Sequence, residues 1–277
     1  MTQPLQISVV IPAYNRASTL ARCLLSISGQ SLPPAEIIVV DDGSTDRTAD
    51  VVRALNLPTV TYVHQANAGA NAARNAGAAL ARHDWIAFQD ADDIWLPHKL
   101  ASLSDALLSD VLLALPSGER PLVAFSSFLT FDMASGTCTL KPASLINRSK
   151  TPLVIADPIG ETGLLHENLI STQTLLLHRS VFTAVGGFDA SLQRFQDWDL
   201  AIRLAEISPF LFVPEPLVVA EAMAVSLSRN YAAGIAARKR FLTKYKSLYD
   251  QYPQQRACAR RAIALRQIVG FVKSKLW

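Results

Sequence analysis

Two β-branched runs constrain this chain more than any other feature. Ile7–Ile11 (ISVVI) and Ile37–Val40 (IIVV) are short and dominated by Ile and Val, the pattern of strands buried on both faces. Between them Leu20, Leu24, Leu25 and Ile27 repeat at helical spacing, predicting a helix over Ser18–Ser28 with Ser18 as N-cap. The alternation continues through a helix at Thr45–Leu55, a strand at Val60–Val63, a small-residue helix at Ala68–Ala81 and a strand at Trp85–Phe88. Strands and helices in alternation predict an α/β fold: a Rossmann-like, mainly parallel central sheet with helices on both faces and right-handed crossovers. Beyond Pro97 the spacing predicts a helix at Leu100–Leu115, strands at Leu122–Phe131 and Thr174–Leu177, and a helix at Trp198–Ala205. Two further short strands are expected at Phe210–Val213 and Leu217–Val219, whereas Cys138–Gly163 shows no clear period.

Charge divides the chain. Of its 277 residues, the stretch from Arg229 to Trp277 holds twelve Lys and Arg against one acid, Asp250. The first 228 residues hold the other 14 basic and 22 acidic ones. The expectation is an acidic globular body, 1–228, and a basic helical tail, 229–277, broken at Pro253 into stretches of about Tyr231–Tyr252 and Arg256–Leu276. Half of the residues are apolar, which excludes a disordered chain. Cys23, Cys138 and Cys258 match no zinc spacing and no disulfide framework. There is no apolar run of membrane-spanning length, and Met1–Gln6 has no signal-peptide character. The expected location is therefore cytoplasmic.

Three polar clusters each follow an early strand: Pro12-Ala13-Tyr14-Asn15, Asp41-Asp42-Gly43-Ser44-Thr45-Asp46 and Asp90-Ala91-Asp92-Asp93. In an open parallel sheet the carboxyl ends of the strands are where ligands bind, so the clusters are expected to converge there. Asp90, Asp92 and Asp93 repel one another unless a cation stands between them, and a hard divalent ion takes one or two carboxylates plus substrate phosphate oxygens. The alternative is a solvated acidic turn, with Asp93 capping the next helix. One of Asp41 and Asp42 suffices to bond the turn amides; the other is free to meet a nucleobase or sugar hydroxyl. Asn67, Asn71, Arg74 and Asn75 put polar groups on a helix made mostly of Ala and Gly, and Arg74 and Asn71, three apart, share a face. Arg74 suits a base edge or a phosphate, or else a surface ion pair. Gly186-Gly187 suits a turn with positive φ, as a close approach to a ligand or as a helix C-cap.

SVVIPAYN, VVDDGSTD, NAGANAARNAG, FQDADDIW, GGFD (Gly186–Asp189) and QDWD (Gln196–Asp199), in that order, resemble the motifs of the family-2 glycosyltransferases of GT-A fold. The resemblance implies a nucleotide-diphosphate sugar donor, a UDP-sugar being favoured, and an inverting transfer to a glycan or glycolipid acceptor. It implies a nucleotide-sugar half at about 1–97 and an acceptor half at about 98–228. It places Pro12, Tyr14, Asn15, Asp42, Arg74, Asp90, Asp92, Gly187 and Asp189 around the donor. Asp92, Asp93 and Asp90 would stand at a divalent metal, Mn²⁺ or Mg²⁺. Asp197 would be the general base, although without the resemblance a helix N-cap role would be preferred.

The chain also departs from that pattern. Gln196 stands where Glu is common, and Glu221 and Met223 stand where an Arg-x-His pair is common. These departures leave open a nucleotide-binding or scaffold protein of weak activity. A nucleotidyltransferase is disfavoured, since no Gly-rich basic loop follows the first strand. The tail has two readings: a basic amphipathic surface for an anionic membrane at the inner face, or a cap packed on the body or in a dimer. No recognition motif accompanies its charge, so nucleic acid is not an expected partner.

Overall fold

A computed structural model of the chain describes residues 3–132, 135–142, 145, 149–222 and 231–275. Strands β1 (Ile7–Ala13), β2 (Glu36–Asp41), β3 (Val60–His64) and β4 (Trp85–Phe88) alternate with helices α1 (Leu20–Ser28), α2 (Thr48–Leu55) and α3 (Ala70–Leu80). The next part adds β5 (Ile94–Trp95), α4 (Lys99–Leu107), α5 (Asp110–Leu113), β6 (Val123–Asp132), β7 (Thr137–Lys141), β8 (Leu153–Ile155) and α6 (Pro158–Thr162). It continues with β9 (Leu175–His178), α7 (Arg179–Ala184), α8 (Gln196–Ala205) and β10 (Phe210–Ala222). The tail is helical: α9 (Tyr231–Lys244), α10 (Lys246–Gln251) and α11 (Pro253–Lys275).

The strands form a single sheet in the order β3-β2-β1-β4-β9-β6-β10-β5, with β7 beside β6 and β8 beside β10. β1 to β4 pair only in parallel with one another, as expected. Farther out the sheet is mixed: β9 runs antiparallel to both β4 and β6, and β6 is parallel to β10. Residues of β1 alternate between two cores. Val9 and Ile11 face α1 and α4, whereas Val10 faces the side packed by α3, α8 and the tail, as a period of two requires.

Several boundaries differ from the sequence reading for identifiable reasons. α1 starts at Leu20 without a side-chain cap, because the Arg16 carbonyl accepts from both Thr19 and Leu20 N–H. Ser18 therefore does not cap it. α2 starts three residues late: Asn15 Oδ1 accepts from Thr45 N–H at 2.8 Å, drawing that turn out of the helix. Phe210–Ala222 is a single strand, bulged where Pro214 and Pro216 interrupt its ladder to β6. The stretch Cys138–Gly163 contributes most of β7, which forms a hairpin with β6, together with β8, which pairs with the distant β10, and α6. Pro253 begins α11, at the one helical position where its missing N–H costs nothing.

The tail packs on the body. Phe241 stacks on Trp198 with ring centroids 4.8 Å apart and meets Phe195 edge-on at 5.8 Å. Phe241, Tyr245, Leu248, Tyr249 and Ala259 share a core with α8. Asp199, with no exposed surface, anchors them: Arg203 lies at 2.8 Å, the Tyr245 hydroxyl donates at 2.6 Å, and the Lys244 ammonium is its third partner. Thus Phe241 and Ile263, apolar residues among the basic ones of the tail, are buried in protein, while Leu265 stays exposed. Among the described residues no helix is long and apolar enough to cross a membrane.

Candidate functional site

The carboxyl ends of β1, β2 and β4 open into a crevice of about 550 Å³. Pro12 and Tyr14 come to it from β1, Asp42 from β2, and Asp90 and Asp92 from β4. Arg74 enters from α3 and Gln196 from α8. The three clusters that the sequence scatters thus meet at one sheet edge. Tyr14 is about half exposed, so its ring is available to a planar ligand.

The two adjacent acids after β2 divide their work. Asp41 accepts the Ser44 N–H at 2.8 Å and the Tyr62 hydroxyl at 2.5 Å, which ties the turn to β3. Asp42 accepts the Ala68 and Gly69 N–H groups at 2.9 and 2.8 Å and the Gln65 amide at 2.7 Å. It therefore shapes the loop that leads into α3 while lining the crevice.

Arg74 is held at one depth. It donates to Asp90 at 2.6 Å and to Asn71 Oδ1 at 3.0 Å, and lies over the Phe188 ring at 5.3 Å. α3 reaches this position because it approaches the sheet at Gly77, where a Cβ would come within 2.4 Å of Val10 Cγ1. The same helix holds the GGFD turn. Asn75 bonds both N–H and C=O of Phe188 at 2.9 and 2.8 Å, and Asn71 donates to the carbonyls of Asp189 and Leu192. Gly187 has φ +69°, and a Cβ there would meet Asn75 Oδ1 at 2.7 Å. Gly187 and Asp189 thus build the wall behind α3 and do not line the crevice. Asp189 is occupied by Ser191 and Lys244, which hold its carboxyl at about 2. Asn15 likewise fastens the β1 loop to the Ser44–Asp46 turn.

The acidic cluster after β4 is electrostatically loaded. Burial, then repulsion from Asp90, raises the Asp92 carboxyl, against the pull of Arg16 at 3.4 Å. Burial, then Asp90 and Asp92, pushes Asp93 well above the usual carboxylate range. Asp93 does not line the crevice, nor does it cap α4; its Oδ1 accepts the Glu221 N–H at 3.2 Å. Glu221 is paired with Arg22 at 2.5 Å, and Arg22 also donates to the Asp92 carbonyl at 3.0 Å. Arg16 and Arg22, which the sequence reading passed over, thus supply the cations of this corner; Arg16 lies two residues beyond Tyr14 in the same loop. Met223 lies outside the described residues.

Asp197 stands one residue from Gln196, at the start of α8. Burial raises its carboxyl; the Asn168 amide at 3.0 Å and the Trp198 N–H at 2.8 Å oppose that. Arg74 and Asp90 both act on it electrostatically, which ties it to the crevice. Two orphaned polar atoms complete the picture. Arg74 Nε and Gln196 Oε1 are buried at the crevice with no hydrogen-bond partner among the described residues. Buried orphans of this kind call for a polar ligand.

The donor set suits a hard cation shared with a substrate. Asp90 and Asp92 present oxygen ligands to the crevice, and the like-charge strain on Asp92 is the kind a cation relieves. Among the described residues no three His, Cys, Asp or Glu gather into a ready-made metal cluster. Phosphate oxygens would therefore have to supply much of the coordination.

Comparison with known proteins agrees with this geometry. Residues 8–120 match the model of glycosyl transferase family 2. An uncharacterised glycosyltransferase of Nostoc sp. is 42% identical over 112 residues, 39% of this chain and 35% of that protein. The match therefore spans about a third of that relative's length. The amylovoran biosynthesis glycosyltransferase AmsB of Erwinia amylovora is 31% identical over 225 residues, 76% of this chain and 67% of AmsB. Among solved structures, Staphylococcus aureus TarS 1–349 in complex with UDP-GlcNAc superposes with a TM-score of 0.67 at 16% identity, over 86% of this chain and 66% of that one. That likeness is one of fold, the GT-A type expected. Motif order, crevice and overall match to AmsB agree, and the chain belongs to glycosyl transferase family 2.

Proposed function

We propose that this chain transfers a sugar from a nucleotide-diphosphate donor, a UDP-sugar, to a hydroxyl of a glycan or lipid-linked acceptor, in cell-surface polysaccharide biosynthesis. The observation that carries the reading is the crevice, where Asp42, Arg74, Asp90 and Asp92 converge from three elements around two orphaned polar atoms. Two similar proteins support it: AmsB acts in amylovoran biosynthesis, and TarS was solved with UDP-GlcNAc.

In this reading Tyr14 and Asp42 hold the base and Arg74 lines its pocket. Asp92, with Asp90, is the protein's contribution to a divalent ion, which would neutralise charge on the departing diphosphate. Asp197 takes the proton of the acceptor hydroxyl. The acceptor oxygen forms its bond to the anomeric carbon from the face opposite the diphosphate, and the bond to the diphosphate breaks with its electron pair, giving inversion. A carboxyl raised by burial is a better base than an ordinary one. Within the same proposal, the exposed Arg260, Arg261 and Arg266 beside Leu265 on α11 suit an anionic bilayer at the inner face of the membrane.

Thermal unfolding against UDP, GDP and their sugars, with and without Mn²⁺, tests the reading. A ligand at a hundredfold excess over its Kd stabilises by about 2.7 kcal/mol, a shift of several degrees. Absence of any nucleotide-dependent shift would sink it. A shift without UDP release in the presence of acceptors would identify the nucleotide-binding alternative, which Gln196 and the Arg22–Glu221 pair favour.

A further inference from the structure

A second cavity lies behind the loop that leads into α8. Residues 191–194 and α9 enclose a space of about 440 Å³, within the range of small-ligand sites. Its cations are Arg194, Arg240 and Lys244, and no acid lines it. Its apolar surface is Leu192, Phe241 and the alanines of α9. Lys244 is balanced by Asp189 and Asp199. The Arg240 side chain is exposed and has no ion-pair partner among the described residues. The charge of the cavity is thus positive beyond what its own ion pairs cancel.

Its place matters as much as its charge. Residues 191–194 line this cavity, whereas Gln196, two positions later, lines the nucleotide crevice and Asp197 follows. The Leu192 carbonyl accepts from Asn71 of α3, so one short loop separates the two spaces. Phe241, in the cavity wall, stacks on Trp198, the neighbour of Asp197.

We propose that this cavity holds the phosphate of the acceptor, with an attached apolar or glycan portion along the α9 alanines. Naming the molecule an acceptor rests on the transfer reading above; the binding of a phosphate does not. Guanidinium groups bind phosphate oxygens through paired, charge-assisted hydrogen bonds, and small residues leave room beside them. The phosphate of a lipid and that of a soluble sugar share this chemistry.

Calorimetric titrations of the full chain with farnesyl phosphate, farnesol and glucose 1-phosphate test it, run with saturating UDP so that the crevice is blocked. Farnesyl phosphate is expected to bind, and farnesol at least tenfold more weakly. Arg240→Glu, an exposed change, should weaken farnesyl phosphate about tenfold, the scale of one charged hydrogen bond. Ala236→Trp, which fills the cavity from an exposed position, should do the same, and both variants should keep wild-type UDP affinity. Glucose 1-phosphate binding as tightly as farnesyl phosphate supports the site and names a soluble source; weaker binding supports it and names an amphiphile. Farnesyl phosphate bound equally by wild type and Arg240→Glu, or no more tightly than farnesol, overturns the proposal. Failure of UDP to bind the wild type, with these ratios intact, removes the transfer reading and leaves the phosphate site standing.

Discussion

Replacing Gly77 by Ala tests whether the close seating of α3 sets the crevice proposed to hold the nucleotide. The new methyl carbon would lie 2.4 Å from Val10 Cγ1 and 3.1 Å from Val40 Cγ2. Carbon atoms rest at about 3.5–4.0 Å, so one partner must move by about 1 Å. Val10 and Val40 are fully buried strand residues with little rotamer freedom, which leaves the helix to rise. Arg74 sits one turn earlier on the same face. A rise of about 1 Å along their axis would stretch its 2.6 Å bond to Asp90 beyond hydrogen-bonding length. Overpacking costs about 1–3 kcal/mol, and Ala regains about 1 kcal/mol of helix propensity over Gly. The net loss is therefore about 0–2 kcal/mol, a fall in Tm of a few degrees at most. The effect on the ligand should be larger: a displaced charged hydrogen bond corresponds to a loss of about tenfold or more in UDP affinity. Calorimetry with UDP beside a melting curve measures both. UDP affinity within a factor of two of wild type would show that α3 does not position Arg74 through Gly77.

Other outcomes follow from single contacts. Asp197→Asn should retain UDP binding and lose about 10²-fold or more in turnover; near-wild-type transfer would mean another base. Phe241→Ala empties the stack on Trp198 and should cost about 3–5 kcal/mol, read from urea unfolding; a loss below about 1 kcal/mol would mean that the tail is not held there. Asp189 is depressed to about 2 by Ser191 and Lys244. Its contribution to stability is thus present above the ordinary carboxylate range and lost as pH falls from about 4 toward 2. Asp189→Asn should flatten that limb of the unfolding curve, and an unchanged limb would discount the interaction.

What the sequence disclosed, and what it concealed, follows the range of each interaction. β1 to β4 and the meeting of three clusters at one edge were legible because each strand and its polar ending are contiguous. The division of labour between Asp41 and Asp42 was half legible. One acid was expected on the turn; that the other also bonds the Ala68 and Gly69 amides depends on where α3 begins. Asn71 and Asn75, four apart on an Ala and Gly helix, were a visible polar stripe, yet their partners lie more than a hundred residues away. The Arg22–Glu221 pair is 199 residues apart and left no local trace. The tail's basic residues drew attention to a surface, whereas its aromatic residues decided where that surface sits.

Asp199 has a consequence for how short this chain can be made. Ending the chain at residue 228, where charge and motif content change, would remove Lys244 and Tyr245 from a carboxylate with no exposed surface and leave it Arg203 alone of its side-chain partners among the described residues. The same cut would bare Phe195 and Trp198 to water at the root of the helix that carries Asp197. The smallest autonomous unit therefore reaches into α11, at least to Ala259 and Ile263, the last buried side chains described. Limited proteolysis should find its first cuts beyond them, and a fragment trimmed to the family motifs alone should be insoluble.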